Sequence, residues 1–282
     1  MRDIRTLAIV QARFSSSRLP GKILLDIAGK PMLVRVVERM QRAKSVDLVL
    51  VATTLDPSDD ETEALCQMCN YPYYRGNIHD VLNRCYQAAK PYNAQVIVRI
   101  TADCPVIDPQ LVDDTVDIFG CEATYDFVAN RLPPPWGRTY PIGLDTEVCS
   151  FEGLERAWKE ASEPHQREHV MPFFYEGIPP EALHPSPPTS HSSNRYKSLA
   201  TATSPRGFHV ALLHHYPDYG AMRWTVDTPE DLELLRQIYA HFEGRNDFTW
   251  MEVLALLKRE PELAKINASV QHKHYRQVDA RR

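Results

Sequence analysis

Short apolar segments alternate with helical patterns in the N-terminal third of the chain, and this alternation constrains the fold more than any other feature. Residues 7–10, 47–52 and 96–100 form runs with the length and β-branched content of buried strands. Between them, apolar residues recur at helical spacing from residue 31 and again over residues 59–69. Strands that alternate with helices predict βαβ units, and therefore an α/β fold around a mostly parallel sheet.

The composition of the chain shifts in its second half. Half of the 22 prolines lie between Pro133 and Pro188. Because proline removes backbone donors and fixes the backbone, residues 131–195 are predicted to form an insertion on the sheet and not a second doubly wound domain. Regular structure is predicted to resume with a strand at residues 221–226.

The C-terminal region completes the expected domain organisation. Residues 229–241 and 250–257 show helical patterns. We expect one main domain over residues 1–245, followed by a helical segment over residues 246–267. The polar and basic tail, residues 268–282, is predicted to be largely disordered.

Charge and cysteine content exclude several classes of protein. The formal net charge of −5 argues against a nucleic-acid partner, because a surface that follows phosphates is normally basic. The N-terminus has no apolar stretch long enough for a signal peptide or membrane span, so a cytoplasmic chain without a membrane partner is expected. Its six cysteines are then expected to be free thiols. The Cys66-Gln-Met-Cys69 spacing allows a metal or redox site, but its helical pattern favours plain packing.

The first apolar run leads directly into a loop that is dense in cations and hydroxyls. Arg13, Arg18 and Lys22 surround three consecutive serines, and no acidic residue lies between Gln11 and Asp26. Such a set of donors is suited to a triphosphate, and Gly21 lets the backbone approach it closely. The spacing differs from that of the P-loop of the common ATPases and GTPases. A solvated basic turn is the alternative interpretation.

Two aspartates follow predicted strands and lack a local structural role. Asp103 comes after residues 96–100, and Asp108 is the better candidate for the following helix cap because Pro109 comes next. Asp227 is one residue too early to cap the next helix. Carboxylates at the carboxyl ends of strands face the ligand crevice, where Mg²⁺ bridging to a phosphate needs one or two such ligands. A turn or capping role is the alternative for Asp103.

Four segments, in this order, resemble the signatures of the sugar nucleotidyltransferases, in the cytidylyltransferase branch of the spore coat polysaccharide biosynthesis protein F type. They are Ala12-Arg-x-x-Ser-x-Arg-Leu-Pro-Gly-Lys22 with Leu25-Asp-Ile-Ala-Gly-Lys-Pro-Met32, Val98-Arg-Ile-Thr-Ala-Asp-Cys-Pro-Val-Ile-Asp-Pro109, Gly143-Leu-Asp-Thr-Glu-Val148 and Arg223-Trp-Thr-Val-Asp-Thr-Pro-Glu-Asp-Leu232. Together they span residues 5–240. Four motifs in order are more specific than any one of them.

This resemblance implies a Rossmann-like three-layer sandwich of the nucleotide-diphospho-sugar transferase type. It also implies an enzyme that activates acidic sugars as CMP esters, with Asp103 and Asp227 sharing one Mg²⁺. The proline-rich insertion is then expected to cover the acceptor pocket and to contribute to a homodimer contact.

The resemblance also suggests which residues bind the nucleotide. Arg18 and Lys22 are assigned catalytic roles on the triphosphate. The further nucleotide contacts are assigned to Ala12, Arg13, Ser16, Ser17, Gly21, Arg75, Asn83 and Arg84, of which the last three lie in a segment that contacts base and ribose in similar proteins. Ordinary surface or ion-pairing roles are the alternative for Arg75 and Arg84.

A polar set beside the prolines is the candidate acceptor site. An acidic acceptor needs a cation and its hydroxyls need hydrogen-bond acceptors, so Arg138, Tyr140, Glu147 and His169 are assigned to it. His169 is also a candidate general base, although a lone histidine beside apolar residues is more often packed.

The predicted reaction is direct in-line displacement, because no signature of a covalent mechanism is present. The substrates would be CTP and a small acidic acceptor, either a keto-deoxy sugar acid of the nonulosonate type or a phosphonate. A nucleotide-sugar-dependent glycosyltransferase is one alternative, but such enzymes usually carry D-x-D where this chain has Thr101-Ala-Asp103. A non-catalytic nucleotide-binding protein is another, although it would not need both aspartates.

Overall fold

The computed structural model describes residues 4–121, 125–184 and 197–271, and one sheet organises most of them. The strands are β1 (Thr6–Gln11), β2 (Asp26–Ile27), β3 (Lys30–Pro31), β4 (Leu48–Thr54), β5 (Tyr73–Gly76), β6 (Val96–Thr101), β7 (Phe127–Ala129), β8 (Glu147–Ser150), β9 (Lys197–Thr203) and β10 (His209–His215). β2 and β3 form a separate small hairpin, and the other eight build the main sheet.

Helices connect these strands. They are α1 (Met32–Met40), α2 (Asp60–Met68), α3 (Val81–Ala89), α4 (Pro109–Cys121), α5 (Phe151–Glu160), α6 (Pro164–His169), α7 (Pro172–Tyr175), α8 (Pro229–His241), α9 (Trp250–Arg259) and α10 (Pro261–Lys265). Short 3₁₀ turns lie at Lys22–Leu24, Pro57–Asp59, Lys90–Tyr92 and Pro180–Leu183. In the described residues, no helix has both the length and the apolarity needed to span a bilayer.

The strand order in the main sheet is β5-β4-β1-β6-β8-β7-β10-β9. Neighbours are parallel from β5 to β6, and β7 is also parallel to β10. β8 runs antiparallel to both of its neighbours, and β9 runs antiparallel to β10. The prediction of a mostly parallel α/β sheet is therefore confirmed.

Side chains alternate between the two faces of the sheet. Along β1, Ala8 and Val10 belong to one buried cluster, whereas Leu7 and Ile9 belong to another. The first cluster includes apolar residues of α1, α8 and α9, and the second includes those of α3, α5 and α7. Helices thus cover both faces of the sheet, which gives the expected three layers.

Most predicted elements are present, but the strand expected at residues 221–226 is not. Within that segment, the only ladder contact among the described residues is one isolated bridge from Arg223 to Ile142. The backbone N–H of Trp224 donates to Ile142 O at 2.7 Å, and that of Val226 donates to Asp103 O at 2.8 Å. The segment is therefore wedged between two loops and does not extend the sheet.

The proline-rich region is more closely integrated than an insertion laid on the sheet. It supplies β8, which lies between β6 and β7 and joins the two halves of the sheet. α5, α6 and α7 follow β8, and residues of α5 and α7 belong to the apolar cluster on one face of the sheet. Residues 185–195 of the expected insertion lie outside the described residues.

The predicted C-terminal helices are present as α8 and α9, and the sequence pattern missed the short α10. Of the tail predicted to be disordered, residues 272–282 lie outside the described part of the chain. Gln271, just before them, accepts a hydrogen bond from Arg18 Nη1 at 3.2 Å. This end of the chain thus reaches the cationic loop after β1.

Candidate active site

A cavity of about 500 Å³ opens beyond the carboxyl ends of β1 and β6. This is the edge at which ligands bind in open α/β sheets. Its lining includes Gln11, Arg13, Ser15, Ser16, Ser17, Arg18, Lys22, Arg99, Asp103, Arg131, Arg138, Asp145, Glu168, His169 and Asp227. The cationic loop lies on one side and residues of the proline-rich region on the other, so the two predicted substrate sites share one cavity.

The cationic loop is held at both of its ends. The backbone N–H of Phe14 donates to the buried carboxylate of Asp59 at 2.8 Å. Gly21 has a φ of 68°, and its N–H donates to Phe14 O at 2.9 Å. A left-handed backbone suits glycine. Gly21 itself therefore closes the turn that presents the serines and cations, and it does not line the cavity.

Lys22 lies between the two aspartates that the sequence analysis singled out. Its Nζ donates to Asp103 Oδ2 at 2.8 Å, to Asp227 Oδ1 at 2.9 Å and to Val226 O at 2.7 Å. The Lys22 side chain is only 10% exposed. Two carboxylates that are 124 positions apart in sequence thus meet at one buried cation.

Asp227 has further cationic neighbours. Its Oδ2 is 2.7 Å from Arg18 Nη2 and also 2.7 Å from Arg223 Nη2. Burial alone would raise the pKa of Asp227, but Lys22 and Arg223, with Arg18, hold it well below its usual range. Burial likewise lowers the pKa of Lys22, but Asp103 and Asp227 outweigh this effect and raise it. Lys22 and Asp227 therefore form a charged pair at neutral pH.

Other residues cap the neighbouring helices, so the carboxylate of Asp227 is not used as a cap. Thr228 Oγ1 accepts the N–H of Asp231, and Asp231 Oδ2 accepts the N–H of Thr228, which forms the predicted capping box at α8. Asp108 caps α4 as predicted, since it accepts the N–H of Leu111 at 3.0 Å. Neither Asp103 nor Asp227 caps these helices, as predicted, and both line the cavity.

Close backbone packing places the segment that carries Asp227. Gly143 has a φ of 106°, and a Cβ atom there would lie 2.6 Å from the carbonyl carbon and oxygen of Trp224. Glycine alone permits this approach without a shift of the backbone. The glycine of the third signature segment therefore positions the fourth segment.

A buried polar network forms the floor of the cavity on adjacent strands. Arg99 of β6 donates from Nη1 to Glu147 of β8, and from Nε and Nη2 to Gln11 Oε1 of β1 at 3.1 and 2.6 Å. Glu147 is 5% exposed and is not among the lining residues. Its position agrees with a role in orienting Arg99, rather than with the direct acceptor contact that was predicted.

Two guanidinium groups share one carboxylate on the opposite wall. Arg131 Nε lies 2.9 Å from Asp145 Oδ2, and Arg138 Nη1 lies 2.6 Å from Asp145 Oδ1. Burial lowers the pKa of Arg138, but in Arg131 it is outweighed by Asp145 and Glu147, which raise the pKa. Arg138 was a predicted acceptor residue. Arg131 was missed, because nothing in its sequence neighbourhood marks the contact to Asp145.

His169 completes this wall at the end of α6. Its Nε2 is buried and has no hydrogen-bond partner among the described residues. Burial, followed by the positive charges of Arg99 and Arg131, lowers the pKa of His169 to about 4. The imidazole is therefore neutral at pH 7, and it offers one polar atom to whatever occupies the cavity.

Besides Gly21 and Glu147, five further predicted site residues do not line the cavity. Ala12 is buried and continues β1, with its N–H donating to Ala52 O at 3.1 Å. Arg75 binds Glu63 and Asp60 on the far side of β4. Asn83 Oδ1 accepts the indole N–H of Trp158 at 2.8 Å. These side chains have structural partners in this arrangement.

Arg84 and Tyr140 are the other two. Both are almost fully buried, at 0% and 1% exposure. Arg84 Nη1 donates to Asn77 O at 2.7 Å, while its Nε and Nη2 have no partner among the described residues. The Tyr140 hydroxyl also lacks one, and its ring packs against Trp250. Their burial separates them from the cavity without giving them another role.

The carboxylates of Asp103 and Asp227 are suitable ligands for a divalent cation. Asp103 Oδ2 and Asp227 Oδ1 converge on a single point, which Lys22 Nζ fills. No group of three or more metal-ligating side chains occurs in the part of the chain that the structure describes. Mg²⁺ commonly takes one or two carboxylates, and obtains its remaining ligands from water and substrate phosphates. The residues present therefore suit Mg²⁺ bound together with a nucleotide.

Comparisons with known proteins cover nearly the whole chain. A family model described as cytidylyltransferase matches residues 7–244. An uncharacterized protein of Methanocaldococcus jannaschii is 32% identical over 279 residues, which is 98% of this chain and 100% of that protein. The spore coat polysaccharide biosynthesis protein SpsF of Bacillus subtilis is 29% identical, with 94% and 98% covered. A 3-deoxy-manno-octulosonate cytidylyltransferase of Psychrobacter is 27% identical, with 82% and 80% covered.

Solved structures give the same result for the fold. A cytidylyltransferase from Leptospira borgpetersenii superposes with a TM-score of 0.78 at 28% identity, covering 95% of this chain and 100% of that chain. A CMP:2-keto-3-deoxy-manno-octonic acid synthetase complexed with CTP superposes with a TM-score of 0.57 at 20% identity, covering 84% and 99%. Both share the Rossmann-like α/β architecture described above.

Proposed function

This chain belongs to the cytidylyltransferase family and is a CTP-dependent nucleotidyltransferase, and on this premise we propose that it transfers CMP to a small acidic acceptor. The acceptor class is a 2-keto-3-deoxy sugar acid of the nonulosonate or octulosonate type, or a phosphonate. The product would serve the synthesis of a surface polysaccharide or another glycoconjugate. The names of the relatives from Bacillus subtilis and Psychrobacter support this proposal.

One observation carries the proposal. The cationic loop and the Arg131–Asp145–Arg138 group line opposite sides of the same cavity. A triphosphate on the loop side and a carboxylate or phosphonate on the other side would each meet guanidinium groups, which bind such planar or branched anions well. The two reactants would thereby be held next to each other, and this proximity lowers the barrier of a two-substrate reaction.

The reaction follows from this arrangement. An oxygen of the acceptor attacks the α-phosphorus of CTP, the bond from that phosphorus to the bridging oxygen breaks, and pyrophosphate leaves; where the attacking oxygen is a hydroxyl, its proton passes to solvent. Arg18 and Lys22 would stabilise the negative charge that develops on the phosphate oxygens. His169 would bind an acceptor hydroxyl through Nε2, which needs a partner because it is buried. Bound Mg²⁺, held by Asp103 and Asp227, would supply Lewis-acid stabilisation of the same phosphate oxygens.

The acceptor's charge is the part of the proposal that the cavity supports most directly. Among the described residues that line it, six are arginine or lysine and four are aspartate or glutamate. A cavity with this excess of cations favours anionic substrates. A homodimer through the proline-rich region remains a prediction.

The decisive experiment measures pyrophosphate release. CTP, UTP, ATP and GTP are each tested with Mg²⁺ against a panel of 2-keto-3-deoxy sugar acids, phosphonates and neutral sugars of similar size. We expect turnover with CTP and at least one acidic acceptor, and none with the neutral sugars. The Asp103→Asn variant is the matched control for contaminating activity. Turnover with a neutral sugar and no acid would contradict the proposed acceptor class.

A further inference from the structure

The position of Lys22 has a consequence for how a metal could reach the site. A lysine ammonium has three N–H donors. Lys22 uses them on Asp103, Asp227 and the carbonyl of Val226, at 2.7 to 2.9 Å. In this arrangement it has no donor left for a phosphate group. It must therefore give up at least one of these contacts before it can bind a triphosphate.

The same point is the convergence point of the two carboxylates. Asp103 Oδ2 and Asp227 Oδ1 both face Lys22 Nζ. A Mg²⁺ ion bound by these oxygens would lie about 2.0–2.1 Å from each of them. An ammonium group and a divalent cation cannot both occupy the space between two carboxylates, because they overlap and repel each other. Occupation of this point by Lys22 and by a metal is thus mutually exclusive.

The surrounding charges are balanced while Lys22 is in place. Asp103, Asp227 and Asp231 are bound to Arg18, Lys22 and Arg223, so three carboxylates face three cations. Adding a divalent cation alone would leave this half-buried cluster strongly positive. Adding the cation together with a triphosphate would bring negative charge for both the metal and the released ammonium. The cluster therefore favours joint entry over entry of the metal alone.

From these observations we infer that Lys22 is a built-in competitor for the metal site, which it yields only when a metal-bound nucleoside triphosphate gives its ammonium group a new partner. The inference rests on the proposed metal role of Asp103 and Asp227, and it adds an order of events to that role. Lys22 makes the binding of metal and triphosphate cooperative. It also keeps the site closed to a divalent cation that arrives without a nucleotide.

The test measures binding of Mn²⁺, used in place of Mg²⁺, by electron paramagnetic resonance without any acceptor. The full chain is titrated in its wild-type form and as Lys22→Met, Lys22→Gln and Lys22→Arg. Without nucleotide, we expect the two neutral variants to bind Mn²⁺ roughly tenfold or more tightly than the wild type, within the usual range of coupling between two ligands. Lys22→Arg keeps the cation and should bind Mn²⁺ as weakly as the wild type does.

Arg18→Met is the matched control for general charge effects. Arg18 also binds Asp227, but it contacts the outer oxygen and does not lie between the two carboxylates. Its loss should tighten Mn²⁺ binding less than the loss of Lys22 does. Thermal unfolding of each variant establishes that the chain is folded. The two neutral Lys22 variants are made in parallel so that the failure of one to fold does not decide the result.

A calorimetric measurement on the wild type tests the other half of the inference. CTP is titrated with and without Mn²⁺, and we expect Mn²⁺ to raise its affinity through Asp103, so that Asp103→Asn abolishes the gain. If that holds but the neutral Lys22 variants bind Mn²⁺ no more tightly than the wild type, the inference is wrong and the proposed metal role stands. If no Mn²⁺ binding depends on Asp103 under either condition, the metal role and the inference both fail.

Discussion

Asp231 Oδ2 accepts the backbone N–H of Asp227 at 3.0 Å, so one aspartate holds the backbone that carries the other. Asp231 is fully buried and also binds Arg223 and Asn267. Asp227 is 16% exposed and points its carboxylate at Lys22 and Arg18. Two acidic residues four positions apart thus have separate functions, one in the framework of α8 and the other in the cavity.

The shared role of Asp103 and Asp227 predicts non-additive losses of turnover. Because both would stabilise the same charge, Asp103→Ala and Asp227→Ala should each reduce kcat by on the order of 10²-fold or more. The double variant should be hardly worse than the more damaged single one. Steady-state kinetics at saturating Mg²⁺ provides the measurement. Losses that multiply, or an active Asp227→Ala enzyme, would contradict the shared site.

Arg18 is expected to contribute to CTP binding. Its guanidinium group lines the cavity and is 28% exposed, so a triphosphate can reach it. Arg18→Ala should weaken CTP binding by ~1.5–3 kcal/mol, the range of hydrogen bonds to charged groups. Calorimetry with CTP measures this, and Arg236→Ala is the control, because Arg236 binds Asp26 O at the surface. Equal CTP affinity in both variants would remove Arg18 from the nucleotide site.

Arg131 is expected to act on the acceptor and not on CTP. Its partner Asp145 is also held by Arg138, so the wall of the cavity should persist in Arg131→Leu. Loss of one charge-assisted contact should raise the KM for an acidic acceptor by roughly 10- to 100-fold. The KM for CTP should stay nearly constant. An effect on CTP alone would move Arg131 to the other substrate.

The lowered pKa of His169 predicts that the chain loses stability in acid. Its pKa is lowered from 6.5 to about 4 in the folded chain, so the unfolded chain binds more protons between these values. The free energy of unfolding therefore decreases as the pH falls through that window, whereas the His169 shift has almost no effect on it at pH 7. His169→Gln should remove an acid-induced loss of about 1–2 kcal/mol at pH 5. Denaturant unfolding of both proteins at pH 7 and pH 5 measures the difference, and identical pH profiles would refute it.

Gly143 is predicted to be intolerant of a side chain. Gly143→Ala combines a positive φ with backbone overlap at Trp224, which should cost roughly 2 kcal/mol or more. Gly207→Ala is the matched control, because it has a similar positive φ of 83° but no atom within 4 Å of the new Cβ. It should lose only roughly 1 kcal/mol. Similar unfolding free energies for the two variants would show that the close approach is unimportant.

The sequence predicted features with local causes. β1, β4 and β6 have apolar runs, and the helix caps at Asp108 and Thr228 have the required spacing. Elimination of a capping role then identified Asp227. The features that the sequence did not predict depend on residues that are distant along the chain. For example, β8 has only four residues, and it is a strand because it pairs with β6 on one side and β7 on the other.

The same limit applies to the site. Arg131 binds Asp145, which is fourteen positions away, and the segment before Asp227 packs closely against Gly143. Asn83 matched a nucleotide-binding pattern, but it bonds to Trp158, which the sequence places 75 positions further on. The spacing of residues along the sequence shows which side chains have no role in local structure, such as helix capping. This spacing does not show which side chains from distant parts of the sequence will contact them.

The antiparallel strand β8 determines what kind of motion the enzyme can use. Because β8 hydrogen-bonds to both β6 and β7, the cationic loop after β1 and the wall with Arg131 belong to one continuous sheet. Closure by a hinge between two lobes would have to break the ladder in the centre of that sheet. Any enclosure of the substrates would therefore have to come from movements of loops and side chains over this sheet. Substitutions that change the rate of such closure are then expected in the loops at the cavity rim, and not in an interdomain linker.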